Sequence, residues 1–180
     1  MKENFSNLVS HLPYNLFTMN KNTTERALKI TRTFNAPLNK VWQAWTDDEQ
    51  IKRWWGPNIF TCPYYKNDFR VGGKYLGAMR DPDGKDFWST GTYLEIVPMH
   101  KLVMSDSFAD EEGNVVPATY YEMGSDFPLA MKVTVTLEEV DNKTKMTLVH
   151  SDVGNINDKV LKDMEQGWSE SFDKMAGILN

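Results

Sequence analysis

The stretch from Asn155 to Leu179 constrains the fold of this chain more than any other. Its large apolar residues fall at Ile156, Val160, Met164, Trp168, Phe172, Met175 and Leu179, in steps of four and, once, of three. Residues three and four apart share a helix face, so the spacing predicts one long helix with a continuous apolar stripe, widened by Leu161 and Ala176. Asn155 is placed to cap its N-terminus, and Asp158 falls in the first turn, where the helix dipole favours negative charge. Each large side chain buried from the stripe contributes roughly 1.5–3 kcal/mol by area, an upper bound because unfolded chains are already compact. Such a helix needs a surface to close on.

The preceding residues supply a sheet. Leu28, Ile30 and Phe34 alternate with Lys29, Thr31 and Thr33, as in a half-buried strand, and Arg32 shares the apolar parity. Pro37 suits the first position of a helix carrying Val41, Trp42, Ala44 and Trp45. Thr46 with Glu49 has the pattern of a capping box for a second short helix through Ile51, Trp54 and Trp55, ended by Gly56-Pro57. Strand-like runs follow over 60–69, 74–80, 87–97, 101–108 and 129–137, and the chain returns through Met146, Leu148 and His150. Turn chemistry separates them at Gly72-Gly73, at Asp81-Pro82-Asp83-Gly84 and at Asp141-Asn142-Lys143. Gly72-Gly73 reads as a bend between strands in preference to a phosphate loop. Residues 109–128 form a long excursion, and long ordered loops are often functional. Tight connections imply an antiparallel sheet, because parallel neighbours need crossovers. The expected architecture is therefore α+β: a curved antiparallel sheet of about seven strands wrapped around the long C-terminal helix, with two short helices after the first strand. A sheet curved around a helix leaves a wedge between them, to be filled as core or kept as a cavity.

Residues 1–25 read as an extension to a domain spanning 26–180. Phe5, Leu8, Val9 and Leu12 form a short amphipathic pattern stopped by Pro13, and a polar run from Asn20 to Glu25 follows Met19. Whether the extension docks on a partner or Met19 is the working start stays open.

Composition removes several function classes. A formal charge of -5 argues against nucleic acid, which wants a basic face. No apolar run is long enough to span a bilayer and no signal-peptide pattern opens the chain, so a cytoplasmic protein is the simplest reading. The single cysteine, Cys62, excludes an internal disulfide framework. His11, His100 and His150 lie far apart, which argues against a zinc site. Neither a cofactor nor a metal is expected, and no serine-nucleophile elbow is present. The ten methionines suit an adaptable cavity or an ordinary core equally.

Ile30-Thr31-Arg32-Thr33-Phe34 with Ala36-Pro37, Val41-Trp42, Ala44-Trp45-Thr46-Asp47 and Trp54-Trp55-Gly56-Pro57 resembles the SRPBCC (START-like) superfamily. Phe69-Arg70-Val71-Gly72-Gly73, Met79-Arg80-Asp81-Pro82-Asp83-Gly84 and Gly167-Trp168 are similar to the branch homologous to the C-terminal domain of the heat-shock-protein ATPase activator. The resemblance covers about 26–179 and implies a helix-grip fold with a pocket between sheet and long helix. That fold hosts carriers, cyclases, hydrolases and co-chaperone domains. The full co-chaperone also has a separate N-terminal client-binding domain, for which residues 1–25 are too short.

The residues most informative for function are polar ones on apolar parity: Arg32, Asp106 beside Leu102, Met104 and Phe108, and His150 beside Met146 and Leu148. A buried charge costs several kcal/mol unless paired, so these three either form an ion pair at a sheet end or anchor a ligand in an apolar pocket. Trp54-Trp55 stacks on a ligand or closes the core, and Tyr120-Tyr121-Glu122 lines a pocket mouth or tips a hairpin. The function expected is binding of an apolar or aromatic small molecule between sheet and helix. The polar and aromatic members of the expected site are Arg32, Trp54, Trp88, Asp106, Phe108, Tyr120, His150 and Trp168. The methionines are Met79, Met104, Met131, Met146 and Met164. No residue is assigned a catalytic role. The alternatives are a polyketide cyclase-like or hydrolase-like enzyme, with His150 or Asp106 as general acid or base, and a co-chaperone-like protein-interaction module. The expected partner is a small hydrophobic ligand, with a homodimer admitted, and neither nucleic acid nor a membrane.

Overall fold

Turn chemistry sets the strand boundaries. Asp141 and Asn142 both adopt positive φ, the conformation of a tight two-residue hairpin. Asp81 accepts hydrogen bonds from the Asp83 and Lys85 amides to close another turn. A computed structural model describes residues 26–179, so the amphipathic pattern and the polar run of 1–25 lie outside the described residues.

The chain runs β1 (Leu28–Phe34), α1 (Leu38–Thr46), α2 (Asp48–Ile51), β2 (Thr61–Asn67), β3 (Lys74–Arg80), β4 (Asp86–Val97), β5 (Lys101–Ala109), a 3-10 turn (Ala118–Tyr121), β6 (Met131–Val140), β7 (Lys143–Ser151) and α3 (Asp158–Leu179). All seven strands form one antiparallel sheet in the order β1-β7-β6-β5-β4-β3-β2. The first strand therefore closes on the last, and the sheet curls around α3 with α1 and α2 at one end. This is the α+β arrangement of sheet around helix that turns and periodicity lead to, and the helix-grip fold that the resemblance implies.

Curvature depends on small residues on the concave side. A β-carbon on Gly91 of β4 would stand 1.8 Å from the Ser105 carbonyl oxygen and 2.6 Å from the Tyr75 ring. Only glycine lets β4 and β5 approach that closely. A β-carbon on Gly77 of β3 would fall 2.7 Å from the Tyr65 ring, and Tyr65 and Tyr75 stack there 5.7 Å apart.

Four local details depart from the sequence expectations: α2 ends at Ile51, before Trp54 and Trp55, and three caps differ. The cap of α3 is Asn157, whose Oδ1 accepts the Val160 amide, so Asn155 precedes the helix. The cap of α2 is Asp47, whose carboxylate accepts the Gln50 amide, while the Thr46 hydroxyl bonds back to the Trp42 carbonyl. Pro37 occupies the cap position of α1 instead of its first turn.

The apolar stripe of α3 has two parts. Phe172, Met175 and Leu179 are buried in the main core with Phe34, Val41, Trp45, Trp54 and Met146. Toward the N-terminus of the helix, Val160, Met164 and Trp168 are only partly buried. A second, smaller cluster of Met131, Val153 and Ile156 lies there, with Phe127, Val160, Leu161 and Met164 against it. Between the two clusters the wedge is not filled.

Candidate functional site

The unfilled part of the wedge is a cavity of about 490 Å³ between the concave sheet and the first half of α3. That volume falls within the usual range for small-molecule sites. Its walls carry Trp55 and Pro57 from the segment after α2, Met79 from β3, Ser89 from β4 and Phe108 from β5. Met123 and Phe127 come from the loop after the 3-10 turn, and Val160, Met164 and Trp168 from α3.

Strand register explains how the polar groups converge. On β5, Met104, Asp106 and Phe108 share a face by alternation, and Asp106 pairs across to Met131 of β6. Val133, next on that face of β6, pairs with His150 of β7. Asp106 and His150 are thus diagonal neighbours, with Oδ2 3.4 Å from Nε2 but not aligned as a hydrogen bond. The other carboxylate oxygen of Asp106 accepts from the Tyr75 hydroxyl at 2.8 Å. Burial, and secondarily the Asp106 charge, hold the Tyr75 hydroxyl protonated well above its ordinary range.

His150 is 2% exposed, and burial pulls its pKa below the ordinary 6.5 more strongly than Asp106 raises it. The imidazole is therefore neutral near pH 7. The Trp168 indole donates to Nδ1 at 3.3 Å, so Nδ1 is the acceptor and the single proton resides on Nε2, beside Asp106. Trp168 joins this polar pair to the core. Its ring lies 6.1 Å from His150, 5.6 Å from Trp55, 5.6 Å from Phe172 and 6.3 Å from Trp45.

One wall of the mouth is fastened by Lys174 of α3. Its ammonium donates to the carbonyls of Gly56, Pro57 and Phe60, and burial lowers its pKa. Cys62 is buried, and burial pushes its thiol pKa up to about 11, so it stays protonated and is no nucleophile near neutral pH. Among the described residues no group of three or more His, Cys, Asp or Glu stands close enough to hold a metal ion.

Seven of the thirteen residues expected at the site from the sequence line the cavity: Met79, Asp106, Phe108, Met131, His150, Met164 and Trp168. Six lie elsewhere. Arg32 is on edge strand β1, where its guanidinium pairs with Asp173 on the flank of α3, so the polar trio is a pair plus a separate surface bridge. Trp54 is fully buried and donates to the Ala44 carbonyl; its neighbour Trp55 reaches the cavity. Met104 and Met146 are core residues, Met146 accepting the Trp45 indole through sulfur. Trp88 packs against Tyr64, away from the cavity. Tyr120 is exposed, while Tyr121 is buried with its hydroxyl donated to the Ala109 carbonyl.

Pro57, Ser89, Met123, Phe127 and Val160 also line the cavity without having been expected there, and of the pair Trp54-Trp55 it is Trp55 that does so. For Val160 the helical stripe held the signal. Met123 and Phe127 sit in the long excursion, whose length marked it but whose irregular backbone gave no parity to read.

These features define the class: a helix-grip protein whose sheet and long helix enclose a largely apolar cavity with a small polar end. Residues 35–180 match the family model described as Activator of Hsp90 ATPase homolog 1-like protein, and the chain belongs to that family. A protein from Arthrobacter aurescens, solved by solution NMR, is similar at 30% identity with a TM-score of 0.73, covering 85% of each chain. A protein from Nitrosomonas europaea is 23% identical with a TM-score of 0.71, over 87% of this chain and 95% of its own. An AHSA1 protein from Silicibacter pomeroyi is 20% identical with a TM-score of 0.64, over 86% and 97%. The last two likenesses speak to fold alone. No curated protein matches the chain. No helix among the described residues is long and apolar enough to cross a membrane.

Proposed function

We propose that the chain binds an apolar or aromatic small molecule in the cavity between the sheet and the first half of α3. The observation that carries this reading is the division of the helix stripe. Phe172 and Met175 are packed solid, whereas Val160, Met164 and Trp168, on the same face, border open space of about 490 Å³. Unfilled apolar volume costs stability in proportion to its size, so a volume this large is best understood as space for an occupant. The Asp106–His150 pair gives that occupant a polar end to orient against.

The cyclase-like or hydrolase-like reading has less support. A general base needs a free lone pair, and the one on His150 is engaged by the Trp168 indole. Native mass spectrometry of freshly purified protein tests the binding reading. The expected spectrum carries a single small-molecule adduct that leaves on mild activation, or acquires one when the protein is incubated with a neutral apolar compound. A bare mass under both conditions would contradict it.

A further inference from the structure

Four buried side-chain polar atoms lack a hydrogen-bond partner among the described residues: Trp55 Nε1, Asn67 Oδ1, Ser89 Oγ and His150 Nε2. Three of the four belong to side chains that line the cavity. Comparable buried groups away from the cavity are satisfied: Trp54 donates to the Ala44 carbonyl at 2.8 Å, and the Thr144 hydroxyl to the Ala36 carbonyl at 2.8 Å. Leaving a buried donor unpaired is costly, so these exceptions ask for an explanation, and they gather where an occupant would sit.

The charge of the lining narrows that occupant. The walls include the carboxylates of Asp106 and Asp163 and no lysine or arginine. Asp163 pairs with Lys159 on the exposed side of α3, so its charge is met from outside. Asp106 has no such cation, only the Tyr75 hydroxyl and the neutral His150. An anion entering the cavity would therefore meet a carboxylate with nothing to balance it.

The polar end also pairs an acceptor with a donor, since Asp106 Oδ2 stands 3.4 Å from the His150 Nε2–H. A ketone oxygen accepts only, and would set its lone pairs against those of Asp106. A hydroxyl does both. It donates to Asp106 Oδ2 and accepts from the His150 Nε2–H beside it. We infer that the cavity selects neutral apolar molecules bearing a hydroxyl group, and discriminates against carboxylates of the same size. This rests on the binding reading above.

The test uses three compounds on one ring system, 2-naphthol, naphthalene and 2-naphthoate, titrated calorimetrically into the full chain near neutral pH. 2-Naphthol should bind roughly tenfold more tightly than naphthalene, the usual scale of a well-made buried hydrogen bond to a charged group. 2-Naphthoate should bind more weakly than naphthalene. Asp106→Asn should let 2-naphthoate recover toward naphthalene, and His150→Phe, which removes the donor beside Asp106, should shrink the ratio of 2-naphthol to naphthalene affinity. If either variant fails to fold, the ranking of the three compounds on the parent chain still decides. Equal affinities for all three, or tightest binding of 2-naphthoate, would overturn this inference and leave the binding reading intact. If none of the three binds, both fall.

Discussion

His150 carries a proton balance that can be read from outside the molecule. Its pKa in the fold lies below the ordinary 6.5, with burial the larger influence and Asp106 the smaller, opposing one. The unfolded chain therefore takes up a proton before the folded one does as pH falls. The contribution of His150 is complete above about pH 6.5 and is lost as pH drops below the unfolded value toward the folded one. Melting temperature should fall between pH 7 and pH 5, and His150→Gln should flatten that slope; an unchanged slope would mean that His150 is not held neutral. Part of this was legible beforehand. Alternation placed Asp106 and His150 on the concave face, where they meet. It placed Arg32 on that face as well, yet Arg32 sits on edge strand β1 and reaches Asp173 beside the helix. Parity reports the face of a strand and says nothing of its distance from the sheet edge.

At the scale of elements, α3 is one helix with two jobs. Its C-terminal half is core: Phe172 is fully buried and touches Phe34, Trp45, Trp54 and Trp168 through aromatic contacts. Its N-terminal half roofs the cavity. Phe172→Ala should cost about 3–5 kcal/mol of stability, whereas Met164→Ala should cost well below the 2–5 kcal/mol of a core methionine, because its side chain already borders open space. Denaturant melts of the two variants check this, and equal losses would mean that the cavity is closed in solution. The four-residue steps made the helix and its stripe legible in the sequence. They could not show where the stripe leaves solid packing, since Met164 and Met175 look alike until the opposing wall is known. Trp168 stands at the border, half-buried, so its removal should disturb ligand binding as well as the core.

For the whole molecule, the antiparallel sheet and the helix it grips followed from tight turns and one long apolar stripe. What did not follow was the fit between them. Nothing in the strand pattern singles out Gly77 and Gly91, yet each makes room for a tyrosine ring on the concave side, and that packing helps decide where the wedge fills. The loop that contributes Met123 and Phe127 had no periodicity to place it. If the space left over is a binding site, a neutral apolar probe should saturate it at one position. The neutral fluorescent probe N-phenyl-1-naphthylamine is added to the parent chain and to Met164→Trp, whose larger ring would occupy the cavity from the half-buried face of α3. Saturable, single-site binding with a blue-shifted emission is expected in the parent, and loss of that binding in Met164→Trp with no fall in melting temperature. Absence of saturable binding in the parent, or equal binding in both proteins, would contradict the binding reading.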